Sequence, residues 1–219
     1  KMEAFVADLS HELKNPVAAI RAASEVLREG AADDPIARNR FLSRIDEASH
    51  RLEILTKDLL ALARLEARGT HLEQKLIPLN EIVRAAERTY LSEAEERGIT
   101  IQSTMESAQV RGDRRWLIRA VGNLIANALR YSPKGGTISI TVTIDETDAI
   151  LRVMDQGPGI EPSMKTRLFD RFVTDRKTAD QTGLGLAIAR SVAELHGGSA
   201  NIIEMAKPGA CLELRFLRA

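Results

Sequence analysis

Several short stretches of this 219-residue chain combine residue types that do chemistry. The first is Ser10-His11-Glu12-Leu13-Lys14-Asn15-Pro16. An imidazole with one free ring nitrogen is a competent nucleophile near neutral pH. Glu12 can hold the opposite N–H and fix the tautomer. Asn15, one helical turn on, can orient water without adding charge, and Pro16 removes a backbone donor and should bend a helix there. Taken alone, His11 also fits an exposed histidine of a helical bundle.

The second stretch is Asn123-Leu-Ile-Ala-Asn127-Ala-Leu-Arg130-Tyr131. Asn123 and Asn127 fall on one helix face, and Arg130 can reach the same side. Amide oxygens suit Mg²⁺, which usually binds few protein groups together with substrate phosphates. The Arg130 fork matches phosphate oxygens. The same pair also fits capping or surface asparagines, although helix interiors disfavour Asn. The third, Asp155-Gln156-Gly157-Pro158-Gly159, sets a carboxylate beside backbone that a planar ligand can approach closely. Such a carboxylate can accept from an exocyclic amine such as that of adenine. The motif equally describes an ordinary turn. The fourth, Gln181-Thr182-Gly183-Leu184-Gly185-Leu186, opens a helix with bare backbone N–H groups, which suits a polyphosphate, or makes a tight entry turn. Between the last two lie Leu168-Phe169-Asp170-Arg171-Phe172 and a polar stretch from Thr174 to Gln181. This is the pattern of a lid over a ligand, or of an exposed loop.

Two kinds of element must position these groups. Phe5, Leu9, Leu13, Val17, Ile20 and Leu27 recur at helical spacing, and Gly30 stops the helix. Asp34 can cap and Pro35 can open a second helix, about Ile36 to Ala67. Its seam, Ile45, Ala48, Leu52, Leu55, Leu59 and Leu62, has the steps of a bundle helix. Two such hairpins in a homodimer would bury both seams as a four-helix bundle, and a hairpin packed on the rest of the chain would also serve. Residues 69–77 break the periodicity and read as a linker. From 78 to 219 the pattern predicts helices over 80–97, 114–130 and 183–196. It predicts strands over 99–104, 137–144, 149–154, 199–204 and 211–217, in an α/β two-layer sandwich.

Composition narrows the field. Hydrophobic residues form 44% of the chain, enough for a packed core, and aromatics only 4%, too few for a stacking platform on single-stranded nucleic acid. Net charge is zero, so no basic footprint points to nucleic acid. The single cysteine, Cys211, lies in a strand-like apolar run and reads as core filler in a reducing compartment. No apolar stretch approaches the roughly 18–20 residues that span a bilayer. The chain enters a helical pattern at once, without a cap, as a piece of something longer would. His50 and His71 read as surface residues and His196 as a helix C-terminal one.

The order of the motifs (His-Glu-Leu-Lys-Asn-Pro, Asn-x-x-x-Asn, Asp-x-Gly-x-Gly, Phe-Asp-Arg-Phe, Gly-Leu-Gly-Leu) resembles the H, N, G1, F and G2 boxes of sensor histidine kinases of two-component systems. The resemblance covers nearly the whole chain, and the stretch His11–Gly30 looks closest to the CreC type. It implies that residues 1–68 are a dimerisation and phosphoacceptor domain and 78–219 an ATP-binding domain of the Bergerat fold. It implies that His11 accepts a phosphoryl group from ATP, that Glu12 polarises the imidazole, and that Asn15 positions water for dephosphorylating the partner. It further implies Asn123 as Mg²⁺ ligand, Asn127, Arg130 and Tyr131 as phosphate and ribose contacts, and Asp155 as the adenine-reading carboxylate. Gly157, Gly159, Thr182, Gly183, Leu184, Gly185 and Leu186 fall around the nucleotide, and Phe169 and Phe172 anchor the lid. The implied partners are a second copy of the chain and the receiver domain of a response regulator. No nucleic acid is implied, and a membrane only through a region preceding this chain, which would make it the cytoplasmic portion of a bacterial inner-membrane sensor. Arg130 stands where many members have Lys, and Val173 where an aromatic is frequent. A nucleotide-binding dimeric scaffold without turnover, or another Bergerat-fold ATPase, is the competing expectation.

Overall fold

The computed structural model describes residues 2–67, 73, 75–174, 182–206 and 208–219, with the side chains of 2–6 excepted. His71, Gln181 and most of the polar stretch before Gln181 lie outside the described residues. The chain forms two compact units, Lys1–Ala61 with Arg171–Leu184, and Leu62–Asp170 with Gly185–Ala219. We call them the hairpin unit and the sheet unit.

Helix α1 (Met2–Val26) runs through Pro16 and ends in a π-helical turn, Leu27–Ala31, where Gly30 takes φ +119°. Only a residue without Cβ enters that region cheaply. Asp34 Oδ1 then accepts from Ile36 N at 2.9 Å and caps α2 (Pro35–Ala67), as its sequence position foretells. The α2 seam is correctly read: Ala48, Leu55 and Leu62 are buried and Ile45, Leu52 and Leu59 half-buried. Val17 is a departure. It sits in the expected apolar set of α1 but is 53% exposed, because Pro16 and Ala23, one seven-residue step apart, take the inward face.

A strand stands at the end of the stretch read as a linker. Lys75–Pro78 is strand β1, paired antiparallel with β3 (Gln109–Gly112) through Ile77 opposite Val110. Four residues without strong alternation conceal such a strand in the sequence. Helix α3 (Leu79–Glu96), strand β2 (Thr100–Met105), helix α4 (Arg114–Tyr131), strands β4 (Thr137–Ile144) and β5 (Asp148–Met154), short α5 (Pro162–Lys165), helix α6 (Gly185–Leu195), and strands β6 (Ser199–Ile203) and β7 (Cys211–Leu217) follow. The five-stranded sheet has the order β2-β4-β5-β7-β6, with only β2 and β4 parallel. Its inner face is built from aligned rows: Ile140 opposite Val153 opposite Leu212, and Val142 opposite Leu151 opposite Leu214. These pack under buried residues of the helices, among them Ile82, Val83, Leu117, Val121, Leu124, Ile125, Ile188 and Val192. Full burial of each such side chain stabilises by roughly 1.5–3 kcal/mol. The helical hairpin and the two-layer α/β sandwich are thus both present.

Candidate functional site

In the sheet unit the frame of the site is helix α4. Asp113 caps it, Oδ1 accepting from Arg115 N at 2.9 Å. Leu117, Val121, Leu124, Ile125, Ala128 and Leu129 are buried, whereas Asn123, Asn127, Arg130 and Tyr131 remain half-exposed. These four therefore lie half-exposed along a helix whose apolar face is buried. Asn123 Nδ2 donates to Gly185 O, the first residue of α6, at 2.7 Å. That bond orients the amide and leaves Oδ1, a hard oxygen donor, as acceptor. At the other end of α4, a Cβ on Gly157 would come 2.7 Å from Tyr131 O and 2.9 Å from Asp155 Oδ1. So α4 joins the two glycine motifs within the sheet unit, Gly185 at Asn123 and Gly157 at Tyr131. With a rise of about 1.5 Å per residue these points are about 12 Å apart along the helix, comparable to the extent of a nucleoside triphosphate.

Asp155 is 3% exposed. Its Oδ1 accepts from Gly157 N at 2.8 Å and from Ala210 N at 3.1 Å. Burial pushes its carboxyl above the usual range, while the two amides pull it back in part. Gly159 holds φ +86° against the Gly209 carbonyl, and Gly209 holds φ +134° where a Cβ would lie 2.2 Å from Asp155 O. The turn after β5 is therefore packed backbone on backbone, not a simple exposed turn.

In the hairpin unit His11 and Asn15 are exposed on α1, and Glu12 is half-buried. Glu12 Oε2 accepts from Arg51 Nη2 of α2 at 2.9 Å. Asn15, Pro16, Ala22, Phe41, Arg44 and Arg51 are among the residues lining a cavity of about 430 Å³ between the two helices. The segments at 171–174 and 182–184 belong to the same unit. Phe172 N donates to Gly183 O at 2.9 Å, and Phe172 takes φ +60°, rare for a residue with a bulky Cβ substituent. A Cβ on Gly183 would lie 2.7 Å from Phe172 backbone. Thr182 Oγ1 donates to Asp58 Oδ2 at 2.8 Å and accepts from Leu184 N at 3.3 Å. Leu184 is buried and Leu186, in the sheet unit, half-buried.

Three supports of the site carry no signal in the sequence. Arg97, just past α3, donates to the carbonyls of Leu129 and Ser132 (3.0 Å to the latter), closing the C-terminal turn of α4. Gly209 and Ala210 complete the backbone around Asp155, Ala210 from 55 residues away. His196, read as a helix-end residue, bridges two helices. Its Nδ1 pairs with Val192 O at 2.7 Å and its Nε2 accepts from Asp113 N at 3.1 Å, which fixes a neutral ring. Burial pushes its pKa down. A Cβ on Gly112 would strike that ring at 2.3 Å. The Gly-Asp pair at 112–113 was legible only as a cap.

Residues 1–68 match the His Kinase A (phospho-acceptor) domain family, and residues 112–219 the family of histidine kinase-, DNA gyrase B- and HSP90-like ATPases. The chain is 37% identical over 210 residues to the sensor histidine kinase RppB of Synechocystis sp., covering 92% of this chain and 46% of that protein. It is 33% identical over 219 residues to the sensor protein CreC of Escherichia coli, covering 99% of this chain and 46% of that protein. It thus spans about half the length of these curated relatives. The solved structure of histidine kinase ThkA in complex with response regulator protein TrrA is alike in fold, with a TM-score of 0.80 at 24% identity, over 99% of this chain and 61% of that one. Both halves of the motif order seen in the sequence thus have their matching family, and this chain belongs to the sensor histidine kinases.

Proposed function

We propose that this chain transfers the γ-phosphoryl group of ATP to His11 and from there to an aspartate of a response regulator receiver domain. The observation that carries the reading is the buried Asp155 carboxylate and the backbone packed around it. A buried carboxylate whose Oδ1 is saturated by two backbone amides keeps Oδ2 as an acceptor. That is the group an adenine amine requires, beside glycine backbone that a flat ring can approach closely. Asn127 and Arg130, on the same helix face, supply amide and guanidinium donors for phosphate oxygens. The amides opening α6 at Gly185 and Leu186 add the positive end of a helix dipole. Thr182, Gly183 and Leu184 precede them in the chain as phosphate-loop residues. The oxygen-donor chemistry of Asn123 fits Mg²⁺, which when bound would screen phosphate charge.

At His11 one ring nitrogen attacks phosphorus while Glu12 holds the N–H of the other. The bond from the γ-phosphorus to the bridging oxygen breaks, and its electron pair leaves with ADP. The resulting phosphoramidate is labile, which suits onward transfer to a carboxylate. Asn15, exposed one turn from His11, orients water for dephosphorylating the regulator, so the same helix face serves both directions. The hairpin pairs with a second copy in a four-helix bundle. What supports this is the α1–α2 cavity, whose mixed lining brings Pro16, Ala19, Ala22, Val26 and Phe41 together beside polar Asn15, Arg44, Glu47 and Arg51. Among the described residues no helix is long and apolar enough to cross a membrane. Because the relatives are about twice as long, we read the chain as the cytoplasmic portion of a membrane-anchored sensor.

The test is labelling with [γ-³²P]ATP. Acid-labile, base-stable label should appear on the wild type and be absent from His11→Ala, with nucleotide binding unchanged. Label that survives the substitution overturns the phosphoacceptor assignment. Nucleotide binding without any label favours a non-enzymatic scaffold.

A further inference from the structure

Arg51 is separated from Glu12 by 39 positions and lies on the opposite helix of the hairpin, yet the two meet at 2.9 Å. Both side chains are only 22% exposed. The other ion pairs on these helices differ in kind. Arg21–Glu25 and Lys57–Glu53 are i,i+4 pairs on one helix with more than half of each side chain in solvent. Pairs like those contribute little and orient nothing. A shielded guanidinium–carboxylate contact across two helices is stronger and fixes where Glu12 Oε2 sits, leaving the other carboxylate oxygen to turn toward a neighbour. Glu12 is therefore held from α2, while its neighbour His11 stands in solvent.

A nucleophile oriented by a partner, and that partner oriented by a third group, is a recurring way to prepare a side chain for attack. We propose that Arg51 is a positioning residue for phosphoryl acceptance at His11. It grips Glu12 Oε2 and thereby presents the other carboxylate oxygen to the imidazole N–H. The inference rests on the reading that His11 is the phosphoacceptor. In the step itself the free ring nitrogen forms the N–P bond and the electron pair of the broken P–O bond departs with ADP. The proton on the opposite ring nitrogen stays on the imidazole, hydrogen-bonded to Glu12. Arg51 neither gains nor loses a proton. It acts only through Glu12, so its contribution must vanish when Glu12 can no longer act.

The experiment measures autophosphorylation of the whole chain at several ATP concentrations for wild type, R51M, R51K, E12Q and the double variant E12Q/R51M. R51M should lower kcat by roughly tenfold or more, as loss of an orienting partner does, and leave KM for ATP unchanged. R51K, which keeps the charge without the fork, should recover part of the rate. In the E12Q background R51M should cause no further loss. A wild-type kcat in R51M, or the same fractional loss with and without Glu12, overturns the inference. Should R51M lose the helical circular dichroism of the wild type, R51K and E12Q/R51K carry the same comparison. A wild type that takes no label on His11 removes both the functional reading and this inference. A labelled wild type with additive E12Q and Arg51 effects removes the inference alone.

Discussion

The two units make their functional groups available in opposite ways. In the hairpin unit the candidate phosphoacceptor and its neighbours are side chains on a helix surface: His11 and Asn15 exposed, Glu12 tied across the hairpin to Arg51. In the sheet unit the central group is buried, and what surrounds it is backbone: Asp155 among Gly157, Gly209 and Ala210. A site made of exposed side chains tolerates movement of its frame, since each group carries its own chemistry. A site made of backbone approach tolerates none, because a single added carbon meets a carbonyl. The first suits a residue that must meet different partners in turn. The second suits tight reading of one planar ligand.

The largest effect should come from adding that carbon. In Gly209→Ala the new Cβ would lie 2.2 Å from Asp155 O at φ +134°, so the β5 turn must shift. Strain and overpacking together should cost on the order of 3 kcal/mol or more and abolish nucleotide binding. Gly30→Ala in the hairpin unit is the control. Its φ of +119° is just as unsuited to a side chain, but nothing lies within 4 Å. Its cost should be about 1–2 kcal/mol, with nucleotide binding retained. Urea denaturation and titration with a fluorescent ATP analogue give both numbers. Equal costs would erase the contrast drawn between the units.

A second prediction sets function against stability at one residue. Asp155→Asn keeps an oxygen for the Gly157 and Ala210 amides but loses the charged acceptor, so ATP affinity should fall at least tenfold. Without nucleotide the same variant should melt higher at pH 7. Burial raises the folded carboxyl above its unfolded value, so the fold favours the protonated form. That stability is complete below about pH 3.8 and is lost as pH rises through the folded value. An amide, neutral throughout, escapes the loss, so its advantage should fade on acidification. A variant that melts lower at neutral pH would contradict the burial argument.

The same contrast explains what the sequence could and could not tell. Regular elements were legible wherever period and cap agreed: the α2 seam, the Asp34 and Asp113 caps, and β4 and β7 residue for residue. The candidate site residues from His11 through Asn123 to Asp155 could be named because each sits in a local motif. The short strands β1 and β3 were not legible, because four residues offer too little alternation. Nor were the contacts of Arg51, Arg97, Gly209 and His196, whose partners lie 32 to 83 positions away. The compact division after Ala61, and the grouping of Arg171–Leu184 with the hairpin, likewise depend on contacts that no local pattern encodes.

The smallest effect separates two ion pairs that look alike on paper. Arg21 meets Glu25 at 3.0 Å with 81% and 56% of the side chains exposed, and Arg152 meets Glu213 at 2.8 Å with 37% and 2% exposed. Arg21→Ala should cost no more than about 0.5 kcal/mol. Arg152→Met strips one partner from a buried carboxylate, which ordinarily costs several kcal/mol. Here Arg215 at 2.8 Å and Asn201 at 3.3 Å still hold Glu213, so about 1–2 kcal/mol is expected. Burial alone would raise the Glu213 carboxyl, but its bonds to Arg215 and Arg152 outweigh this and leave it below the usual range. The stabilisation from those bonds is therefore complete above about pH 4.5 and lost as pH falls through the folded value. The cost of Arg152→Met should shrink in step when denaturation is repeated at decreasing pH, whereas that of Arg21→Ala has little to lose. A cost for Arg152→Met that stays constant down to acid pH would mean the arginine stem packs more than its charge pairs.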